Sequence, residues 1–343
     1  MDVLDHSHVE CDWGTIAGGK IVPKWHLAIW TSIALWHVAS LVETHVSMKK
    51  AVIDLGTNTF NLLIVEINDK GIDVLHSEKE GVALGMGGIN HQNISKDAID
   101  RAMKALTHFK HLCDVHQVSI IKAIGTSAIR DAKNAIEFSL LVKAQLGIDI
   151  EIVSGYREAE LIHKGIAASH QFNEHALIMD IGGGSTEFIS ADETGIHDLI
   201  SMNIGVSRIF QLFELSNPLT REDVSNIEDW LDANAGGFFE NRREKVLIGA
   251  SGSFETFYEL IHNEAFPSLN RSIEISVERL HVILEQIIAS TKEERDQNEW
   301  IIPIRKKMAP IAAVKTRWVL KQIPAKKVFI SPYSLKEGVI FEQ

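Results

Sequence analysis

The chain has 343 residues, 45% of them hydrophobic, enough to bury a sizeable core and to allow about two domains. Its formal net charge of -12 opposes nonspecific binding of nucleic acid, so no nucleic-acid partner is expected. Two cysteines, Cys11 and Cys113, rule out a disulfide framework, and a cytoplasmic setting is expected.

The first 47 residues differ from the rest. Residues 27–42 form a mostly apolar run with Trp30, Trp36 and His37. The run is short for a membrane span of about twenty residues. It also starts late for a secretory signal, and no clear small-residue cleavage site follows. Met48-Lys49-Lys50 directly precedes the first strand. Residues 1–47 are therefore expected to lie outside the fold, with Met48 as the true start and no stable membrane association; an N-terminal membrane-associating helix is the alternative.

The first strand reads Ala51-Val-Ile-Asp54-Leu, turns at Gly56-Thr57-Asn58-Thr59 and returns through residues 60–67. An extended segment near residues 73–76 and a Gly-rich stretch over 81–88 follow. Ser95 caps a helix over 96–116 with apolar positions at Ile99, Met103, Leu106 and Phe109. His108, His111 and His116 fall in that helix and read as a solvated face, not as a metal site. A buried strand over 120–124 leads to Gly125-Thr126-Ser127, and Asn134 precedes a helix ending at Leu146. Residues 157–170 read as a helix at the junction between two halves.

The second half repeats the opening theme: Ala176-Leu-Ile-Met-Asp180-Ile, then Gly182-Gly183-Gly184-Ser185-Thr186-Glu187, then a returning strand. Each hairpin carries a carboxylate at its tip and a turn of glycines and hydroxyls, whose N–H groups suit phosphate oxygens. An Asp beside phosphate implies a divalent cation between them. Either turn alone is equally well a tight hairpin with no ligand; the repeat is the more specific signal. A third strand, Val246-Leu-Ile-Gly249, feeds Ala250-Ser251-Gly252-Ser253 and a helix over 254–261, a ready anion site. Thr220 caps a further helix with Asp223 as its acidic partner. Helices over 276–291 and 308–322, a strand over 327–330 and a short helix over 334–341 complete the chain. Residues 301–335 hold no Asp or Glu but contain Arg305, Lys306, Lys307, Lys315, Arg317, Lys321, Lys326 and Lys327. That stretch is either a basic extension of the cleft or a solvated helix pair.

The order of the three turns resembles the phosphate-1, phosphate-2 and adenosine motifs of the actin-like ATPase superfamily. Within it the chain is most similar to the exopolyphosphatase and guanosine pentaphosphate phosphohydrolase (Ppx/GppA) family, in its short form. Three further segments carry that resemblance: Gly125-Thr126-Ser127-Ala-Ile-Arg130, Ser154-Gly155-Tyr-Arg-Glu158-Ala159, and Asn203-Ile-Gly205-Val-Ser-Arg208. It covers residues 48–343 and implies an α/β fold of two actin-like (ribonuclease H-like) domains with an interdomain active-site cleft. The first domain would span 48–155, with residues 334–343 packing back on it, and the second 156–333.

The resemblance also implies roles. Glu158 would orient or deprotonate the attacking water. Asp54, Asp180 and Glu187 would share a magnesium ion. Thr57, Asn58, Thr59, Gly182, Gly183, Gly184, Ser185 and Gly252 would bind substrate, and Arg130 would contact the phosphate chain. The chain departs from the family pattern at Glu160 and Lys307, where the family often has Arg and Asp, and mildly at the third turn. The implied activity is release of orthophosphate from inorganic polyphosphate; guanosine pentaphosphate is the alternative substrate. A polyphosphate- or nucleotide-binding regulator and a kinase of the same superfamily are the competing classes, and a homodimer is possible.

Overall fold

The structure is a computed structural model that describes residues 47–69 and 71–342. All but the last residue of the expected 47-residue extension therefore lies outside the described residues. Two sheets organise the rest. The first contains β1 (Met48–Leu55), β2 (Thr59–Asn68), β3 (Gly71–Gly81), β4 (Ile120–Gly125) and β5 (Ile150–Ile152), in the order β3-β2-β1-β4-β5. The second contains β6 (Ala176–Ile181), β7 (Thr186–Asp192), β8 (Gly195–Met202), β9 (Val246–Ala250), β10 (Ile273–Ile275) and β11 (Lys327–Ile330), in the order β10-β11-β9-β6-β7-β8.

The two sheets share one design. β1 pairs antiparallel with β2 and parallel with β4; β6 pairs antiparallel with β7 and parallel with β9. The parallel central strands are buried along nearly all their length, as strands covered on both faces must be. Among the described residues eleven α-helices flank the sheets: α1 (Lys96–Val115), α2 (Ser127–Arg130), α3 (Ala135–Leu146), α4 (Gly155–Ala167), α5 (Val206–Leu212), α6 (Arg221–Asn234), α7 (Ser251–His262), α8 (Val277–Ala289), α9 (Lys292–Gln297), α10 (Ala309–Gln322) and α11 (Leu335–Phe341).

The caps expected from sequence form. Ser95 accepts from the Ala98 N–H, and Thr220 and Asp223 make a reciprocal capping box. The junction helix α4 starts two residues earlier than the apolar pattern indicates, because Ser154 Oγ accepts from the Arg157 N–H and fixes the start there. That places Glu158 in its first turn.

Three apolar clusters hold the molecule. One fills the first half (Ile53, Phe60, Leu106, Phe109, Phe138) and one the second (Phe188, Phe254, Phe257, Leu284, Trp318). The third joins them: Val52 and Leu63 of the first sheet and Ile178, Ile189 and Ile248 of the second meet Ala159, Ile162 and Ile166 of α4 and Val339 and Ile340 of α11. Two helices are thus packed between the sheets. Helix α11 is tied to β1 by Lys50 Nζ, which donates to the Val339 carbonyl at 2.8 Å, and to α4 by Lys164 and Glu342 at 2.6 Å.

The acid-free stretch over 301–335 is not a continuous basic surface. Lys315 is fully buried. Arg317 and Lys321 pair with Glu228, Arg317 also with Glu285, and Lys327 with Glu174. Acids distant in sequence neutralise these cations, which the local run of residues does not reveal.

Among the described residues no helix is long and apolar enough to cross a membrane.

Candidate active site

Asp54 and Asp180 are each the penultimate residue of a central strand, at matching places in the two sheets. Strand register sets Asp54 opposite Asn61 and Asp180 opposite Glu187. The difference matters. Asn61 Nδ2 donates to Asp54 Oδ2 at 2.9 Å, whereas Glu187 adds a second negative charge on the same face of the sheet. Ser334, at the start of α11, donates to Asp180 Oδ2 at 2.5 Å.

The turns after these aspartates meet directly. Ser207 Oγ donates to Asn58 Oδ1 at 2.5 Å. A Cβ on Gly184 would stand 2.5 Å from Ser127 Oγ and 2.8 Å from Thr57 Oγ1, so only glycine lets the second turn come this close to the first half. Arg208 fastens the contact: its Nε donates to the Gly184 carbonyl at 2.7 Å, Nη1 reaches the Ile89 carbonyl at 3.3 Å, and Nη2 pairs with Asp131.

A single cavity runs between the turns. Its wall includes Asp54, Thr57, Asn58, Thr59, Asp180, Gly182, Gly183, Gly184, Ser185 and Gly252, so ten of the thirteen residues expected at the site are brought together. Glu158, Glu187 and Arg130 are not on that wall. Arg130 Nη1 pairs with Glu158 Oε2 at 2.6 Å and its Nε lies 3.6 Å from Asp131, while the Glu187 charge acts on Glu158. Glu187 accepts from Ser201 Oγ at 2.7 Å.

Burial shapes the electrostatics of all four carboxyls. It raises Asp54 to about 6 against the opposing Asn61 hydrogen bond and the Lys336 charge. It raises Asp180 against the Ser334 hydrogen bond. It raises Glu187 to about 7, with the Asp180 charge adding to the effect. Glu158 lies well above the ordinary carboxyl range because burial and the Glu187 charge outweigh Arg130.

Asp54 and Asp180 on the wall, with Glu187 paired to Asp180 across the strands, are the side chains that could hold a cation. Among the described residues, however, no three His, Cys, Asp or Glu side chains form a metal cage by themselves. Magnesium typically takes one or two carboxylates and completes its shell with water and phosphate oxygens. The Asp54 and Asp180 pair fits that mode.

Sequence reasoning missed several wall residues. Lys79 of β3, Glu255 of α7 and Lys336 of α11 all line the cavity, and Lys315 of α10 lies behind it, donating to Thr186 Oγ1 and, at 2.6 Å, to the Ile204 carbonyl. No local motif marks them, since each is delivered by a different element. Lys315, set directly after the apolar run over 309–314, was the one usable signal.

Comparison with known proteins places the fold and the family. An exopolyphosphatase from Cytophaga hutchinsonii superposes with a TM-score of 0.83 at 35% identity, covering 86% of this chain and 97% of that one. The Aquifex aeolicus PPX-GPPA enzyme superposes with a TM-score of 0.72 at 23% identity, covering 87% of this chain and 100% of its own, and so shares the fold. A bifunctional 3-dehydroquinate synthase/phosphatase of Fusobacterium nucleatum is 32% identical over 220 residues, 60% of this chain, and the match spans only 33% of that relative's length. The Ppx/GppA phosphatase family profile matches residues 63–343, and the chain belongs to that family.

Proposed function

We propose that the chain is a magnesium-dependent phosphoanhydride hydrolase that releases terminal orthophosphate from inorganic polyphosphate. One observation carries the reading: two turns of glycines and hydroxyls, each preceded by an aspartate, face one cavity from opposite sheets. The Cytophaga hutchinsonii relative, described as an exopolyphosphatase, supports the substrate class.

In this reading the N–H groups of 182–185 and the hydroxyls of Thr57, Thr59 and Ser185 donate to the non-bridging oxygens of the terminal phosphate. Water attacks phosphorus as the bridging P–O bond breaks, and Glu158 accepts the proton of that water. Burial and the Glu187 charge raise the Glu158 proton affinity above the ordinary carboxyl range, which favours its taking a proton from water. Arg130 holds the carboxylate in position. Magnesium, when held by Asp54 and Asp180 with Glu187 behind, supplies charge neutralisation at the phosphate oxygens. Since Glu158 does not line the cavity, the reading requires the cavity to open toward the start of α4 as substrate enters.

The test is phosphate release from long polyphosphate and from guanosine pentaphosphate, with magnesium and with chelator. Release from polyphosphate in magnesium alone is expected. Preference for guanosine pentaphosphate would replace the substrate, and binding of either without turnover would make the chain a regulator.

A further inference from the structure

On the cavity wall four charged side chains converge from four parts of the chain. Lys79 Nζ of β3 contacts both oxygens of Glu255 on α7, at 2.8 and 2.7 Å. Arg305 Nη2, from the segment before α10, approaches the same carboxylate at 3.4 Å, and its Nη1 donates to Thr256 Oγ1 at 3.0 Å. Lys336 of α11 adds a third positive charge facing Glu255 and itself pairs with Glu337 at 2.8 Å. Glu259 flanks the group. Lys79, Glu255, Arg305 and Lys336 all lie on the cavity wall, continuous with Asp54 and the two turns.

We propose that Lys79, Arg305 and Lys336 form a phosphate subsite of this cavity, and that the Glu255 carboxylate is its resident counter-ion, displaced by an incoming phosphate. The proposal rests on the reading of the cavity as a phosphate-chain site and names the group that sets its affinity.

Three arguments support it. First, cations that grip a carboxylate bidentately are equally suited to phosphate oxygens, which they bind through the same charge-assisted hydrogen bonds. Second, the cluster is assembled across the molecule. Lys79 belongs to the first sheet and Glu255 to a helix of the second half, so this is not an ordinary surface pair one helical turn apart. The Arg305 guanidinium lies over Gly252, where a Cβ would stand 1.5 Å from Nη2; the third turn has no side chain there, and the guanidinium occupies the space. Third, the local field is strongly positive. Burial alone raises the Glu255 carboxyl, yet Lys79 and Arg305 hold it down at about 2. This field lies on the same cavity wall as Asp54 and the two turns. Exchange of one anion for another keeps the cations paired, so the step is close to balanced and Glu255 tunes it.

The experiment measures binding of sodium tripolyphosphate to the full chain by calorimetry in chelator, where turnover is not required. Glu255→Gln removes the competing charge and should tighten binding about tenfold. Glu285→Gln, which removes an equal charge on a distant surface, should leave binding unchanged. A folded Glu255→Gln protein that binds no tighter than the unaltered chain overturns the proposal, as does equal tightening by Glu285→Gln. If Glu255→Gln does not fold, Lys79→Met decides: it should weaken binding about fivefold or more, and unchanged affinity overturns the proposal. Should binding follow this pattern while polyphosphate is never cleaved, the subsite stands and the hydrolytic reading falls.

Discussion

Replacing Glu158 by Gln separates a catalytic role from a structural one, because the structure makes the two effects opposite in sign. Glu158 is 7% exposed, and its carboxylate pairs with Arg130 at 2.6 Å. Breaking a buried ion pair ordinarily costs about 3–5 kcal/mol, through the charge left unpaired. Here Arg130 keeps Asp131 at 3.6 Å and the Val153 carbonyl at 3.4 Å, so its guanidinium is not abandoned. Moreover, burial and the Glu187 charge raise the Glu158 carboxyl despite Arg130. A raised folded-state value means that the native protein holds this proton more tightly than the unfolded chain. The resulting stability is complete below the unfolded value of about 4.3 and is lost as pH rises through the folded value. A neutral Gln escapes that loss. At pH 8 in chelator, Glu158→Gln should therefore melt at the same temperature as the unaltered chain or about 2 °C higher, and below about pH 4 the two should coincide. Phosphate release from polyphosphate should fall at least about 100-fold, equivalent to about 2.7 kcal/mol of transition-state stabilisation. Near-normal release by a folded variant would refute the base assignment. A fall in melting temperature beyond about 5 °C at pH 8 would show that the Arg130 pair outweighs burial.

The other expectations concern the cation, the contact across the cavity and the N-terminus. Between pH 6 and 7 Asp54 and Glu187, raised to about 6 and about 7, are partly protonated, so magnesium binding should release protons. Calorimetric heats should then depend on the ionisation enthalpy of the buffer, and identical heats in two buffers would sink the idea. Arg208→Ala deletes the bonds to Gly184, Ile89 and Asp131 and should cost about 3 kcal/mol, seen as a lower melting temperature with a raised KM for polyphosphate. A wild-type melting curve would make the contact dispensable. A chain starting at Met48 retains every described element and should melt and turn over like the full chain; failure to fold would make residues 1–47 structural.

Much of this architecture is legible in the residues in order. Strand, turn and returning strand around Asp54 and again around Asp180 depend on local rules: buried apolar runs, glycines that permit close approach, and side-chain caps such as Ser95 and Thr220. The wall residues at both turns follow from those motifs. Tertiary structure alone decided which charges meet. Arg130 turned to Glu158, Glu255 placed between Lys79 and Arg305, and the basic run over 301–335 paired with Glu228, Glu285 and Glu174 all join residues far apart in the chain. The cause is physical. Hydrophobic periodicity and capping act over a few residues and leave a mark in the sequence. Charge pairing acts through space, between side chains that only the packed sheets and the two helices between them bring within reach.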